Sequence, residues 1–240
     1  MSNPSDSNNP AGSLPPLDVF CASYKRPDKL PKMIESVIAT GYPARICVSA
    51  GDLQTLETCA RYPGVVDAVF STDVNRKTGC TAPLNLVHRE LVRRDALFCT
   101  DDLIFEPDCL HNAMRALYTH FPDTDGVIGL YDANIPDDYA LAFPLMGRRF
   151  QERFIRTLEP AGPLFFPGYF HMFNDSELGE TLKHLGNWRH EPTARIHHYH
   201  PDFGGTMDKT HSHALTFRDH DERLWYSRRT RGVLWGIDAA

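Results

Sequence analysis

The chain has 240 residues, enough for one large α/β domain with a substantial buried core. Its 42% hydrophobic and 23% charged content is ordinary for a soluble globular protein, and no apolar run reaches the length of a membrane span. A formal net charge of −6 argues against a surface that grips nucleic acid throughout, while leaving room for a local basic patch.

Residues 1–16 lack an apolar core, so they read as a disordered leader and not as a signal peptide. Leu17–Ala22 is predicted as the first strand, running into a polar loop of Ser23, Tyr24, Lys25, Arg26 and Pro27. Leu30, Met33, Ile34, Val37 and Ile38 then recur at helical spacing, with Gly41 as a stop. Arg45–Ser49 gives a second strand that ends in Ala50, Gly51 and Asp52, and Leu53–Arg61 a short helix. Val65–Phe70 is a third strand. The polar loop Ser71–Pro83, with Asn75, Arg76, Lys77 and Gly79 at its centre, leads into a helix carrying Leu84, Leu86, Val87, Leu91 and Val92.

Ala96–Phe105, ALFCTDDLIF, is the stretch around which the chain is organised. A short unbroken apolar run fits a strand buried on both faces, in the middle of a parallel sheet. It runs directly into Asp101 and Asp102. Open α/β sheets bind ligands beyond the carboxyl ends of their strands, and adjacent carboxylates repel and resist desolvation, so such a pair calls for a cation or for solvent. Two readings follow: a divalent metal carrying a diphosphate, or a solvated turn in which one aspartate caps the next helix.

A helix carrying Leu110, Ala113, Met114 and Leu117 comes next, then a buried strand at Gly126–Tyr131. Asp132–Pro160 is polar and proline-bearing, with arginines at 148, 149, 153 and 156; Phe150 and Phe154 suggest a short helix within a loop otherwise expected on the acceptor side. The aromatic stretch Gly162–Phe173 leads into a helix near Ser176–His184, where Asp175 is either the N-cap or a base in the cleft. Ala194–Tyr199 is a further strand ending at His200 and Pro201, and Arg218–Arg231 packs as a helix. Eight of the twelve histidines follow residue 183. The six cysteines include no C-x-x-C pair, and Cys21, Cys47 and Cys99 fall in predicted buried strands, so a reducing, cytoplasmic setting is expected. The alternation of strands and helices predicts an α/β fold: one domain with a mostly parallel, Rossmann-like sheet and helices on both faces.

Taken in order, these motifs resemble the GT-A fold glycosyltransferases, in particular the inverting family 2 group and its small phage and bacterial members. The opening DVFCASYKRPDKL looks like the family's first strand, polar loop and R-P-x-x-L. The N-R-K-x-G-x-x-x-P-x-N run from Asn75 to Asn85 resembles the loop before the metal-binding strand, and Thr100, Asp101, Asp102 resemble its D-x-D region, although here the acids are adjacent. Residues His198, His200, Gly204, Gly205 and Asp208 match the H-x-H-P, glycine-pair and D-x-T/x-H ending of the small members. N-D-S-E-L departs from the family's usual E-D pair and offers Asp175 and Glu177 instead.

The resemblance implies a metal-dependent, inverting transfer of a sugar from a nucleotide-diphosphate donor, UDP by default, to an acceptor hydroxyl. Residues 17–131 would form the nucleotide-sugar-binding half and 132–240 the acceptor-side half of the same domain. Mn²⁺ or Mg²⁺ would be held by Asp102 with His200, or with His198 as its substitute, since alternation on a strand sends both imidazoles to one face. Asp101 would lie towards ribose or metal-bound water, and Asp52 would read the base or ribose. Ser23, Lys25, Arg26, Arg76 and Lys77 line up as donor contacts, with solvated loop charge as the alternative. Asp175 is the first choice for the base and Glu177 the second.

For the acceptor, a hydroxylated base in DNA, a surface glycan and a small molecule all stay open; a phage-encoded enzyme would work in the host cytoplasm. A nucleotidyltransferase is a rival, though SYKRPDK has no glycine. A non-catalytic sugar- or nucleic-acid-binding module is another.

Overall fold

The computed structural model describes residues 14–71, 79–132, 141–158, 162–201 and 205–237, with the backbone alone at 156–158. Arg76, Lys77, Gly204 and the first 13 residues of the expected leader lie outside the described residues, as does the Arg156 side chain.

The first strand, β1 (Leu17–Ser23), is buried along almost its whole length, as its unbroken apolar run requires. It carries one charge inward: Asp18 is fully buried and accepts from Arg45 Nε and Nη2 at 3.0 and 2.9 Å and from the amides of Arg93 and Arg94. That clamp ties β1 to β2 (Ala44–Ala50) and to the entry of β4 (Ala96–Phe98). Between them α1 (Leu30–Ala39) turns Leu30, Met33, Ile34 and Val37 into the core, and α2 (Leu53–Cys59) leads to the edge strand β3 (Val66–Phe70). Next, α3 (Thr81–Leu91) returns the chain to the centre.

Eight strands form one mixed sheet in the order β3-β2-β1-β4-β7-β6-β8-β5. β1 to β4 run parallel; β7 (Pro144–Met146) lies antiparallel between β4 and β6 (Val127–Asp132), and β8 (Trp188–His198) runs parallel to β6. The strand expected to run into the acid pair is β4, which pairs with β1, while the apolar trio after the acids forms a separate strand, β5 (Leu103–Phe105), which pairs antiparallel with β8 at the far end of the order. The acid pair causes the break, because two buried carboxylates need several donors each, and a turn over Cys99–Asp102 presents them where a straight ladder would not. β8 also begins six residues earlier than the sequence places it and carries an irregularity opposite Leu130 and Tyr131.

Beyond β5, α4 (Cys109–His120) packs on the sheet, and α5 (Arg148–Leu158) is the helix that Phe150 and Phe154 foreshadow, with those rings buried and stacked at 5.8 Å. The second half closes with α6 (Asn174–Leu185), α7 (Lys209–Ala214), a 3₁₀ turn and α8 (Arg218–Thr230). All six cysteines are free thiols. No described helix is long and apolar enough to cross a membrane.

Candidate functional site

A cavity of about 350 Å³ opens at the carboxyl ends of β1 and β4. Asp101 and Asp102 lie on its wall with Ser23 at the end of β1 and Tyr24 and Arg26 from the loop after it, and Asp175, His198, His200 and His211 arrive from the second half. Each arrives for a local reason. Lys25 takes a left-handed backbone (φ 54°), stabilised by its amide donating to Asp52 Oδ2 at 2.7 Å, and the bend brings Arg26 back over the sheet. β8 ends in register opposite β5, so His198 pairs with Leu103 immediately after the acid pair. His211 is set by a capping box in which Asp208 Oδ1 accepts from the His211 amide at 2.8 Å and starts α7.

The acid pair is densely contacted. Asp101 accepts from Ser23 Oγ at 2.6 Å and from Arg26 Nη1 at 2.6 Å. Asp102 accepts from Thr100 Oγ1 at 2.7 Å and Arg26 Nη1 at 3.0 Å, with Lys29 Nζ at 3.8 Å. Its oxygens lie 3.5 Å from His198 Nε2 and 3.3 Å from His211 Nε2. Burial pushes both carboxyls up. In Asp102 the bonds to His198 and His211 and the Arg26 charge outweigh burial and hold it well below the usual carboxylate range, whereas Asp101 stays raised. Asp208, 3.4 Å from Arg26 Nε and 3.3 Å from Lys29 Nζ, is lowered: its bond from the His211 amide and the Arg26 charge outweigh partial burial.

One carboxylate and two imidazoles suit Mn²⁺ better than the oxygen-preferring Mg²⁺, and His211 Nδ1, which accepts from the Asp208 amide at 3.4 Å, lies 3.1 Å from Asp208 Oδ1. The donor chemistry therefore fits a divalent cation. Among the described residues no group of three His, Cys, Asp or Glu side chains is drawn together as an ion would draw them, and the Arg26 guanidinium stands against both acids. The imidazoles beside Asp102 are His198 and His211. His200 lines the same cavity one ring away, at 5.3 Å from His198 and 5.2 Å from His211 between centroids.

Asp175 lines the cavity but does not cap α6. Phe173 occupies the cap with φ 64°, and Asp175 follows in the first turn, its Oδ1 accepting from the Ser176 amide at 2.8 Å. Burial pushes its carboxyl up. Glu177, the second choice for the base, is buried, accepts from Arg228 Nη2 at 2.6 Å, Tyr169 Oη at 2.6 Å and the Trp235 amide at 2.7 Å, and does not line the cavity. Asp52 caps α2 through the Thr55 amide at 3.0 Å, and neither it nor Lys25 lines the cavity. Lys29 escapes a reading by motif, carrying no signal beyond a helix start, while His211 is the histidine of the D-x-T/x-H element that Asp208 opens, a spacing that also marks a cap.

Several arginines of α5 and α8 are paired with acids. Arg148, Arg149 and Arg153 pair with Glu152, Asp123 and Asp125, and Arg229 lies 3.6 Å from Glu180.

No protein-family model matches the sequence, and no curated protein matches it. Solved structures do match. A mannosyltransferase from Pyrobaculum calidifontis, PcManGT in complex with GDP-Man and Mn²⁺, superposes with TM-score 0.67 at 14% identity over 95% of this chain and 68% of that one. TarS 1–349 from S. aureus superposes with TM-score 0.61 at 13% identity over 87% and 73%, and the same protein in complex with UDP-GlcNAc with 0.60 at 13% over 75% and 57%. At these identities the likeness is one of fold, and the fold is that of the GT-A glycosyltransferases.

Proposed function

We propose that this chain is a glycosyltransferase, moving a sugar from a nucleoside-diphosphate donor to an acceptor hydroxyl. The observation that carries the proposal is the convergence of Asp101, Asp102, His198, His211 and Asp175 on one cavity at the strand ends of a GT-A sheet. Similar folds hold GDP-Man with Mn²⁺ and UDP-GlcNAc, which makes UDP- and GDP-sugars the donors to try first.

Asp102, His198 and His211 would hold Mn²⁺ or Mg²⁺, which when bound supplies positive charge against the departing diphosphate. Ser23 and Arg26 set the acid pair: Ser23 donates to Asp101, and Arg26 bridges both acids. Asp175 takes the proton of the acceptor hydroxyl as that oxygen forms its bond to the anomeric carbon and the carbon–phosphate-oxygen bond breaks. The nucleoside diphosphate leaves, and direct displacement inverts the anomeric centre. Burial suits Asp175 to the task, since a carboxylate with a raised pKa is a stronger base.

For the acceptor, the paired arginines of α5 and the acidic net charge favour a glycan or small-molecule hydroxyl over a base in DNA. A thermal-shift panel of UDP- and GDP-sugars, with and without Mn²⁺, followed by assay of nucleotide release, tests the proposal. Selective metal-dependent stabilisation with release is expected; no shift and no release with any nucleotide sugar overturns it.

A further inference from the structure

The aromatic run before α6 builds the wall from which Asp175 enters the cavity, and its backbone is held by a residue outside the cavity. Asp221, in the first turn of α8, is fully buried. Its carboxylate collects three consecutive amides: Phe170 N–H on Oδ1 at 3.0 Å, and His171 and Met172 N–H on Oδ2 at 2.7 and 2.8 Å. His220 Nδ1 lies 2.9 Å from Oδ1. An aspartate in a helix's first turn commonly serves its own helix. This one serves another segment, where successive amides form an anion-binding concavity filled by a side chain of the same protein.

The opposite side of that segment is fixed as well. Phe170 O accepts from the Thr81 amide at 3.1 Å, and Gly79 approaches it so closely that a Cβ there would stand 2.2 Å from the carbonyl oxygen. Asn174 Nδ2 donates to Thr81 Oγ1 at 3.0 Å. Residues 170–172 are thus clamped between α8 and the start of α3. Directly after them Phe173 makes its left-handed turn and Asp175 enters the cavity, where His171 also lies.

We infer that Asp221 is a positioning residue: its carboxylate gathers the amides of 170–172 and thereby sets where Asp175 and His171 stand in the cavity. The inference rests on the proposed glycosyl transfer for its consequence, but not for its geometry.

The test is Asp221→Asn, which keeps size and replaces one acceptor oxygen by a donor. Amide exchange at 170–172 is expected to rise at least tenfold. Turnover should fall at least tenfold, while KM for the donor and the donor-induced thermal shift stay within twofold. Unaccelerated exchange, or accelerated exchange with near-normal turnover, overturns the inference. Should the wild type release nucleotide from no sugar donor, the functional proposal fails on its own; carboxyl titration of Asp175 by NMR then decides the positioning role. Its pKa is expected to fall towards the ordinary carboxylate range in the variant, and an unchanged titration overturns the inference. If the asparagine variant does not fold, Asp221→Glu, which keeps the charge, is read in the same way. Glu180→Gln, which removes the exposed pair with Arg229 between α6 and α8, serves as control and should leave exchange at 170–172 and turnover unchanged.

Discussion

His211 Nε2 stands 3.3 Å from Asp102 Oδ2, although 109 positions separate the two residues along the chain. His200, the second histidine of the H-x-H-P motif, stacks edge-on against His211 at 5.2 Å. Replacement should therefore separate them. His211→Ala is expected to weaken Mn²⁺ affinity at least tenfold, and His200→Ala by less than threefold. A titration in which the two variants change place would return His200 to the metal.

Asp102→Asn should remove the Mn²⁺-dependent part of the nucleotide-sugar thermal shift with the far-ultraviolet circular dichroism spectrum unchanged. The carboxylate is the one group that His198, His211, Thr100 and Arg26 share. An undiminished metal-dependent shift would take Asp102 out of the site.

Arg26→Met leaves two buried carboxylates without their guanidinium. Breaking a buried ion pair costs roughly 3–5 kcal/mol, so the melting temperature should fall by several degrees. Millimolar Mn²⁺ or Mg²⁺ should then raise it in the variant by more than in the wild type, because a divalent cation takes the place the guanidinium vacates. Equal responses of the two proteins would mean that no cation binds there.

Asp175→Asn is expected to keep donor binding within about threefold and to lower transfer at least a hundredfold, a general base's contribution. The pH dependence has a definite sign. A base works deprotonated, and burial raises the Asp175 carboxyl, so activity should fall with acid from a higher pH than an ordinary carboxylate would allow. Near-normal turnover of the variant would assign the base elsewhere.

Glu177→Gln should act on stability alone. It breaks the buried pair with Arg228, for a loss of roughly 3–5 kcal/mol, while donor affinity of the folded protein stays unchanged. A selective loss of donor binding without a change in urea midpoint would restore Glu177 to the site.

His88 and His171 stay neutral in the fold. Burial lowers each from 6.5 to about 4, with the Gln151 bond only partly opposing it at His88 and the Arg26 charge adding to it at His171. Between those pH values the unfolded chain binds more protons than the folded one, so stability is complete above about 6.5 and drains away towards pH 4. For His88 the loss approaches about 3 kcal/mol. The wild type should lose more stability across this window than His88→Gln does; equal pH slopes for the two proteins overturn the assignment.

The sequence by itself determined the alternation of strands and helices through Asp132, the burial of β1 and β2, and the acid pair at the heart of the sheet. Those features follow from periods of two and 3.6 residues, which act over a few neighbours and can be counted along the chain. It also named Ser23, Arg26, Asp101, Asp102, Asp175, His198 and His200, which meet in the cavity. Only the tertiary structure decided that Ala96–Phe105 splits between two places in the sheet, that His211 and not His200 reaches Asp102, and that Glu177 and Asp52 serve packing and capping. A buried carboxylate takes whichever donors the crossing segments bring to it, and which segments cross is set by the packing of the whole core, which no local spacing records.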